Sequence, residues 1–269
     1  MFIALLIMVT LMIVFFIKFQ HRIPILMYHR IATVPGDRNS LPPEKFKEQL
    51  DYLKKHGYHT ITLNDLYNHV TLQVPLPPKP VILTFDDGYE DNFSCALPLL
   101  KERDMKATVF PIVHWVGMEN KWENFNKQLT QTMNWDHLKQ WHAAGMEIGS
   151  HTLEHPFLTQ CDEVRLEQEL RHSKMILQEK LGAAIDFLCY PYGFFDNRAT
   201  EIAKQCGYRG ALAIFANAPL WNHDMYALPR IPISSRQPSW EFALKVSRFH
   251  ILFIMLRKIE RGAKWLRWK

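Results

Sequence analysis

Four short segments of the chain carry side chains suited to metal and acid–base chemistry. The first is Thr84-Phe85-Asp86-Asp87-Gly88. It ends an apolar run, residues 81–85, that has the composition of a buried strand, and two adjacent carboxylates there cannot both be buried without partners. A metal ion supplies one. Adjacent side chains diverge, so one carboxylate can bind the ion while the other faces water or substrate. The plain alternative is a solvated turn, in which Asp-Asp-Gly is common. The second segment is His151-Thr152-Leu153-Glu154-His155. Histidines at i and i+4 fall on one face of a helical turn, where both rings can meet one ion. The zinc-protease pattern has the same histidine spacing, but Thr152 stands where its glutamate would be, which argues against that reading. The third segment, Tyr190-Pro191-Tyr192-Gly193, is a turn that can aim backbone N–H groups at a developing oxyanion. The fourth, residues 25–30, ends a predicted strand on His29, a candidate proton donor, although a histidine there taken by itself reads more readily as structural.

The elements that must position these groups alternate between strand and helix. Strands are predicted at residues 23–29, 81–85, 107–112, 147–150, 187–190, 210–214 and 230–233. Helices are predicted at residues 43–56, closed by Gly57, at 64–70 with Asn64 as the N-cap, at 97–103, at 134–144 before Gly145, and at 162–181 before Gly182. This alternation predicts a distorted (β/α) barrel with fewer than eight regular units, and the polar clusters follow the strands, on the edge where such barrels carry their sites.

Both ends of the chain differ from this body. Residues 1–17 are apolar except for Thr10, long enough with the following residues to span a bilayer, and no Lys or Arg precedes Lys18. A cleaved signal peptide would need a basic start and a small-x-small cleavage site, and neither is present. Residues 1–20 are therefore expected to be an uncleaved anchor, followed by a catalytic body at 21–238. Lys18, Arg22 and Arg30 lie after the span, so the positive-inside rule places that body in the cytoplasm of a single-pass membrane protein. Residues 240–269 are predicted as one helix in a C-terminal segment, 239–269. From Lys245 onward it carries eight Lys or Arg against one Glu, mixed with Trp265 and Trp268. That pattern fits a helix lying on an anionic membrane surface, or a terminal helix with a solvated basic end. The tail exceeds the whole-chain excess of +5, so the body is close to neutral and a nucleic-acid partner is not expected. The four cysteines form no C-x-x-C pair and suit a reducing compartment.

The order TFDDG, HTLEH, YPYG resembles the NodB-homology polysaccharide deacetylases, carbohydrate esterase family four, over roughly residues 23–236. The resemblance implies a seven-stranded barrel and removal of the N-acetyl group from an N-acetylated sugar. By position it implies Asp87, His151 and His155 as ligands of a divalent metal, usually zinc. It also implies Asp86 as general base and the Tyr192 backbone N–H as an oxyanion donor. Two features depart from the family pattern. Cys189 stands where many members have Arg, and Arg230, in Leu-Pro-Arg-Ile-Pro-Ile, is a candidate stand-in. The late leucine-x-histidine motif has no clean copy, but Leu26-Met27-Tyr28-His29 is similar to the strand that carries the acid in a circularly permuted subgroup, so His29 takes that role. Trp221 is a candidate for the acetyl pocket or a core residue. The membrane-directed ends favour a polyprenyl-phosphate-linked N-acetylhexosamine at the bacterial inner membrane, used in cell-envelope or lipid A modification. An envelope N-acetylglucosamine polysaccharide is the alternative substrate. A catalytically inactive sugar-binding membrane protein is the alternative from another class.

Overall fold

The apolar runs of the body pair with one another in parallel, as expected of strands whose two faces are both covered. The structure is a computed structural model that describes residues 23–122, 129–214, 224–247 and 249. Its strands are β1 (Ile25–Tyr28), β2 (His59–Thr60), β3 (Pro80–Asp87), β4 (Thr108–Pro111), β5 (Glu147–Ile148), β6 (Phe187–Cys189), β7 (Gly210–Ile214) and β8 (Leu228–Pro232). The main path runs β5-β4-β3-β1-β8-β7-β6, with β2 paired to β3 off this path. Ser150 then bridges the two ends of the path. Its N–H donates to Phe187 O at 2.9 Å and its carbonyl accepts from Cys189 N at 2.8 Å. The seven strands thus form a nearly closed parallel barrel, and Leu83, Phe85, Val109, Leu188, Leu212 and Ile231 are buried in it.

The helices follow the spacing of the apolar residues. In α1 (Pro43–Lys55) Phe46, Leu50 and Leu53 lie on one face and are fully buried, and Gly57 ends the turn at φ 71°. Helix α2 (Leu63–Leu72) starts one residue before the expected position, and its cap is Thr62 rather than Asn64. Thr62 and Asp65 form a reciprocal capping box, while the Asn64 amide donates to Glu147 instead. Helix α3 (Leu97–Glu102) is entered through a π turn at Asn92–Ala96. Helices α4 (Trp135–Ala143) and α5 (Glu163–Leu181) are capped by Asn134 and Asp162, and Gly182 stops α5 in the left-handed conformation. Helix α6 (Asn197–Gln205), capped by Asp196, was not legible as a helix from its sparse apolar residues.

The barrel unit comprises Ile25–Gln237. Helix α7 (Ser239–Val246) belongs to the C-terminal segment and corrects the expectation of one helix over residues 240–269. Ser247 is extended, with ψ 163°; its hydroxyl donates to Leu244 O and accepts from Phe249 N. A serine that bonds its own neighbours in this way competes with helix continuation. The expected anchor and the rest of the basic segment lie outside the described residues, and among the described residues no helix is long and apolar enough to cross a membrane.

Candidate metal centre and active site

Asp87 ends β3, and its left-handed backbone, φ 69°, turns its side chain toward the loop that follows β5. There it meets both histidines of the second segment. Asp87 Oδ1 lies 3.5 Å from His151 Nε2 and 3.7 Å from His155 Nε2, and the two nitrogens are 3.2 Å apart. Ligand bonds of about 2.0–2.2 Å in tetrahedral geometry put ligand atoms about 3.3–3.6 Å from each other, so this triangle fits one zinc-sized divalent ion. The donor chemistry agrees. The His151 Nδ1–H donates to Cys189 O at 2.8 Å, which leaves the Nε2 lone pair pointing at the triangle. Burial pushes His151 down to about 4 and His155 well below its ordinary value, so both rings are neutral and ready to ligate. Two imidazole nitrogens and a carboxylate oxygen converge in one buried place, a donor set that suits a divalent cation.

The histidines do not converge through a helical turn, as their spacing implied. Residues 151–155 form a bent loop in which Thr152 and His155 have φ of 68° and 64°. Asp87, Thr152, His155 and Tyr192 make up four of the seven non-glycine residues with positive φ among the described residues. Each such residue costs about 1–2 kcal/mol, and such strain persists where surrounding contacts impose it. Here the contacts are specific. Glu169 Oε2 accepts from the N–H groups of Leu153 and Glu154, both at 2.9 Å. Thr152 N donates to Ser150 Oγ, and His155 N donates to Thr152 Oγ1. Glu169 is 2% exposed and burial raises its pKa. Sequence reasoning missed it. The available signal was an acid within the apolar stripe Leu166, Leu170, Leu177 of α5.

Asp86 faces the barrel interior and meets Arg230 of β8 in a bidentate pair, with Nη1 to Oδ1 at 2.5 Å and Nη2 to Oδ2 at 2.7 Å. Both side chains are buried. Burial works against the Asp86 carboxylate, but the charge of Arg230 and its two hydrogen bonds outweigh it and hold Asp86 well below the usual carboxylate range. Cys189 completes the pocket. Its Sγ accepts from Arg230 Nη2 at 3.0 Å, and burial pushes its thiol well above the ordinary value. His29 follows β1, and its Nε2 lies 4.0 Å from Asp86 Oδ2. Its backbone is held by Asn92, whose amide donates to His29 O at 2.7 Å.

Tyr192 sits in a one-turn 3₁₀ segment, Pro191–Gly193, with φ 57°. A Cβ at Gly193 would approach the Ile214 N to 2.8 Å, so only glycine lets this turn lie against β7. The Tyr192 ring packs edge-on to His155 at 4.5 Å, which brings the predicted oxyanion turn beside the metal ligands. Trp221 lies outside the described residues.

This arrangement has counterparts among known proteins. The polysaccharide deacetylase family model matches residues 73–211. The chain belongs to the polysaccharide deacetylase family. It is 30% identical over 213 residues to YxkH of Bacillus subtilis, whose name assigns it to the polysaccharide deacetylases, covering 79% of this chain and 72% of that protein. It is 26% identical over 204 residues to the poly-beta-1,6-N-acetyl-D-glucosamine N-deacetylase of Staphylococcus aureus, covering 72% and 68% of the two chains. Among solved structures it resembles the deacetylase PplD of Streptococcus pyogenes, determined with acetate, with a TM-score of 0.74, 26% identity and coverage of 84% of this chain and 98% of that one. Membership in the NodB-homology deacetylases makes the chain a carbohydrate N-deacetylase of a family whose members depend on a metal, and the Asp87–His151–His155 group is the matching candidate site.

Proposed function

We propose that the protein removes N-acetyl groups from an envelope polysaccharide of N-acetylglucosamine type, with zinc as its metal and in the permuted arrangement in which His29 is the acid. The observation that carries this reading is the convergence of a metal-ligand triangle, an ionised buried carboxylate and a histidine at one edge of the barrel. A divalent metal held by Asp87, His151 and His155 would act there as a Lewis acid toward the acetyl oxygen and would make water a better nucleophile. Asp86, kept ionised by Arg230, accepts a proton from the attacking water. The Tyr192 N–H donates to the oxyanion as charge develops on it. His29, next to Asp86, returns a proton to the departing nitrogen. The products are acetate and a free amine on the sugar. The poly-N-acetylglucosamine substrate of the staphylococcal relative supports the polymer over the lipid-linked sugar.

The test is acetate release by the detergent-solubilised, zinc-loaded protein from an N-acetylglucosamine pentamer and, in parallel, from a polyprenyl-phosphate N-acetylhexosamine. Release from the pentamer supports the reading. Asp86→Asn is expected to abolish turnover with zinc still bound, and unchanged activity would remove Asp86 from its role. The lipid-linked substrate is favoured by one observation, the positive charges at Lys18, Arg22 and Arg30, which point the body toward the cytoplasm behind a single anchor at the inner membrane. The polymer requires the opposite topology. A C-terminal reporter that reads cytoplasmic, with acetate released from the lipid-linked sugar alone, would reverse the choice.

A further inference from the structure

The site residues leave one feature at this edge without a task. An aromatic row starts at His155 and runs outward. The Tyr192 ring lies 4.5 Å from the His155 ring, Phe157 stacks on Tyr192 at 4.0 Å and 12°, and Phe194 lies 6.1 Å from Phe157. These three outer rings are 39–45% exposed, well above what core aromatics show in this barrel. Short turns hold them. Phe157 O accepts from Gln160 N at 2.9 Å, and Phe194 N donates to Pro191 O at 3.2 Å. Exposed aromatic surface that is rigid and continuous with a reaction centre is costly to keep in water and is what a ring with an apolar C–H face would cover.

We propose that Phe157 and Phe194, with the Tyr192 ring between Phe157 and His155, form a binding platform for the sugar ring next to the one that loses its acetyl group. This rests on the deacetylase reading above and deepens it. The acetyl group reacts at the ligand triangle, so a row leading away from His155 meets a neighbouring unit of the same chain. The occupant is a pyranose of an oligomer or polymer. A single sugar placed at the metal meets only the inner end of the row at His155 and Tyr192 and leaves Phe157 and Phe194 uncovered, so the platform makes the protein selective for chains over monomers.

The experiment measures acetate release from an N-acetylglucosamine pentamer and from the monomer by the zinc-loaded full chain and its Phe157→Ala, Phe194→Ala and Phe157→Trp variants. Pentamer binding to the same proteins is followed by calorimetry in an Asp86→Asn background. One lost aromatic contact is expected to raise KM for the pentamer about tenfold, with kcat and the monomer's kcat/KM unchanged. Phe157→Trp restores the KM. Pentamer and monomer affected equally, or neither affected in correctly folded variants, overturns the platform. If the parent chain binds pentamer through the row yet releases no acetate, the platform stands and the catalytic reading fails. If it binds no pentamer, the platform is wrong whatever else it deacetylates.

Discussion

Arg230 and Asp86 stand 144 residues apart in the chain and meet in two near-parallel hydrogen bonds inside the barrel, both side chains buried. Removing two charges from water is expensive unless they pair well, and a bidentate guanidinium–carboxylate contact is the geometry that does so. The pair keeps Asp86 ionised in a place where burial alone would neutralise it.

Replacing Arg230 by Met should therefore move the pH dependence of turnover. Burial, no longer opposed by Arg230, raises the Asp86 pKa, so the carboxylate is protonated at the acid end of the range. Below the raised pKa turnover falls about tenfold for each further drop of one pH unit, and it recovers as pH rises. Stability is linked to the same ionisation. In the parent, the depressed folded-state pKa contributes stability above the ordinary carboxylate value, about 4, and that contribution is lost as pH falls below it. The variant should lose about 3–5 kcal/mol near neutrality, read from urea unfolding, and should show a flatter stability profile on the acid side. A pH–rate profile that coincides with the parent's would separate Arg230 from the base.

Metal removal should abolish acetate release and lower thermal stability together. Asp87, His151 and His155 gather three ligand atoms in one buried place, and an ion that binds only the folded state stabilises it by about 4 kcal/mol at a thousandfold excess over Kd. Dialysis against a chelator followed by zinc should restore both activity and Tm. His155→Ala should show the lower Tm with no response to zinc. A chelated protein with full activity would refute the metal centre.

The Glu169 carboxylate holds the amides of Leu153 and Glu154 and with them the strained loop between the histidines. Glu169→Ala is expected to weaken zinc binding by about 10–100-fold, since support behind metal ligands is worth that much. Competition with a fluorescent chelator measures it. Glu169→Gln, which keeps one acceptor oxygen, should fall between. Equal zinc affinity in all three proteins would show that the loop holds its shape without this side chain.

Glu147 provides a control for stability without chemistry. It begins β5, at the barrel edge away from the metal residues. It accepts from the N–H groups of Leu63 and Asn64, the Asn64 amide and the Thr108 hydroxyl, so it anchors the start of α2. Glu147→Ala leaves these donors without an acceptor and should cost about 2–3 kcal/mol of stability in urea unfolding. The kcat of the folded variant should be unchanged.

Much of the site was legible in the sequence because its signals are local. Asp86 and Asp87 end an apolar strand, His151 and His155 follow a shorter one, and residue type restricts such groups to few roles. Helix stops were similarly readable at Gly57 and Gly182, where a missing Cβ admits the left-handed turn that ends the helix. What spacing could not convey was decided by tertiary contacts. The i, i+4 pattern of His151 and His155 implied a helical turn, whereas Glu169 and Ser150 hold a strained loop that brings the rings' Nε2 atoms to 3.2 Å. Thr62 took the cap from Asn64 because Glu147, a residue of another strand, offered Asn64 a better partner. The partner of Asp86 was likewise a question of space. Cys189 and Arg230 come from different strands, and closure of the parallel barrel placed the small thiol and the long guanidinium together against one carboxylate. Residue types determine which chemistry is available; the register and closure of the barrel determine which residues meet to perform it.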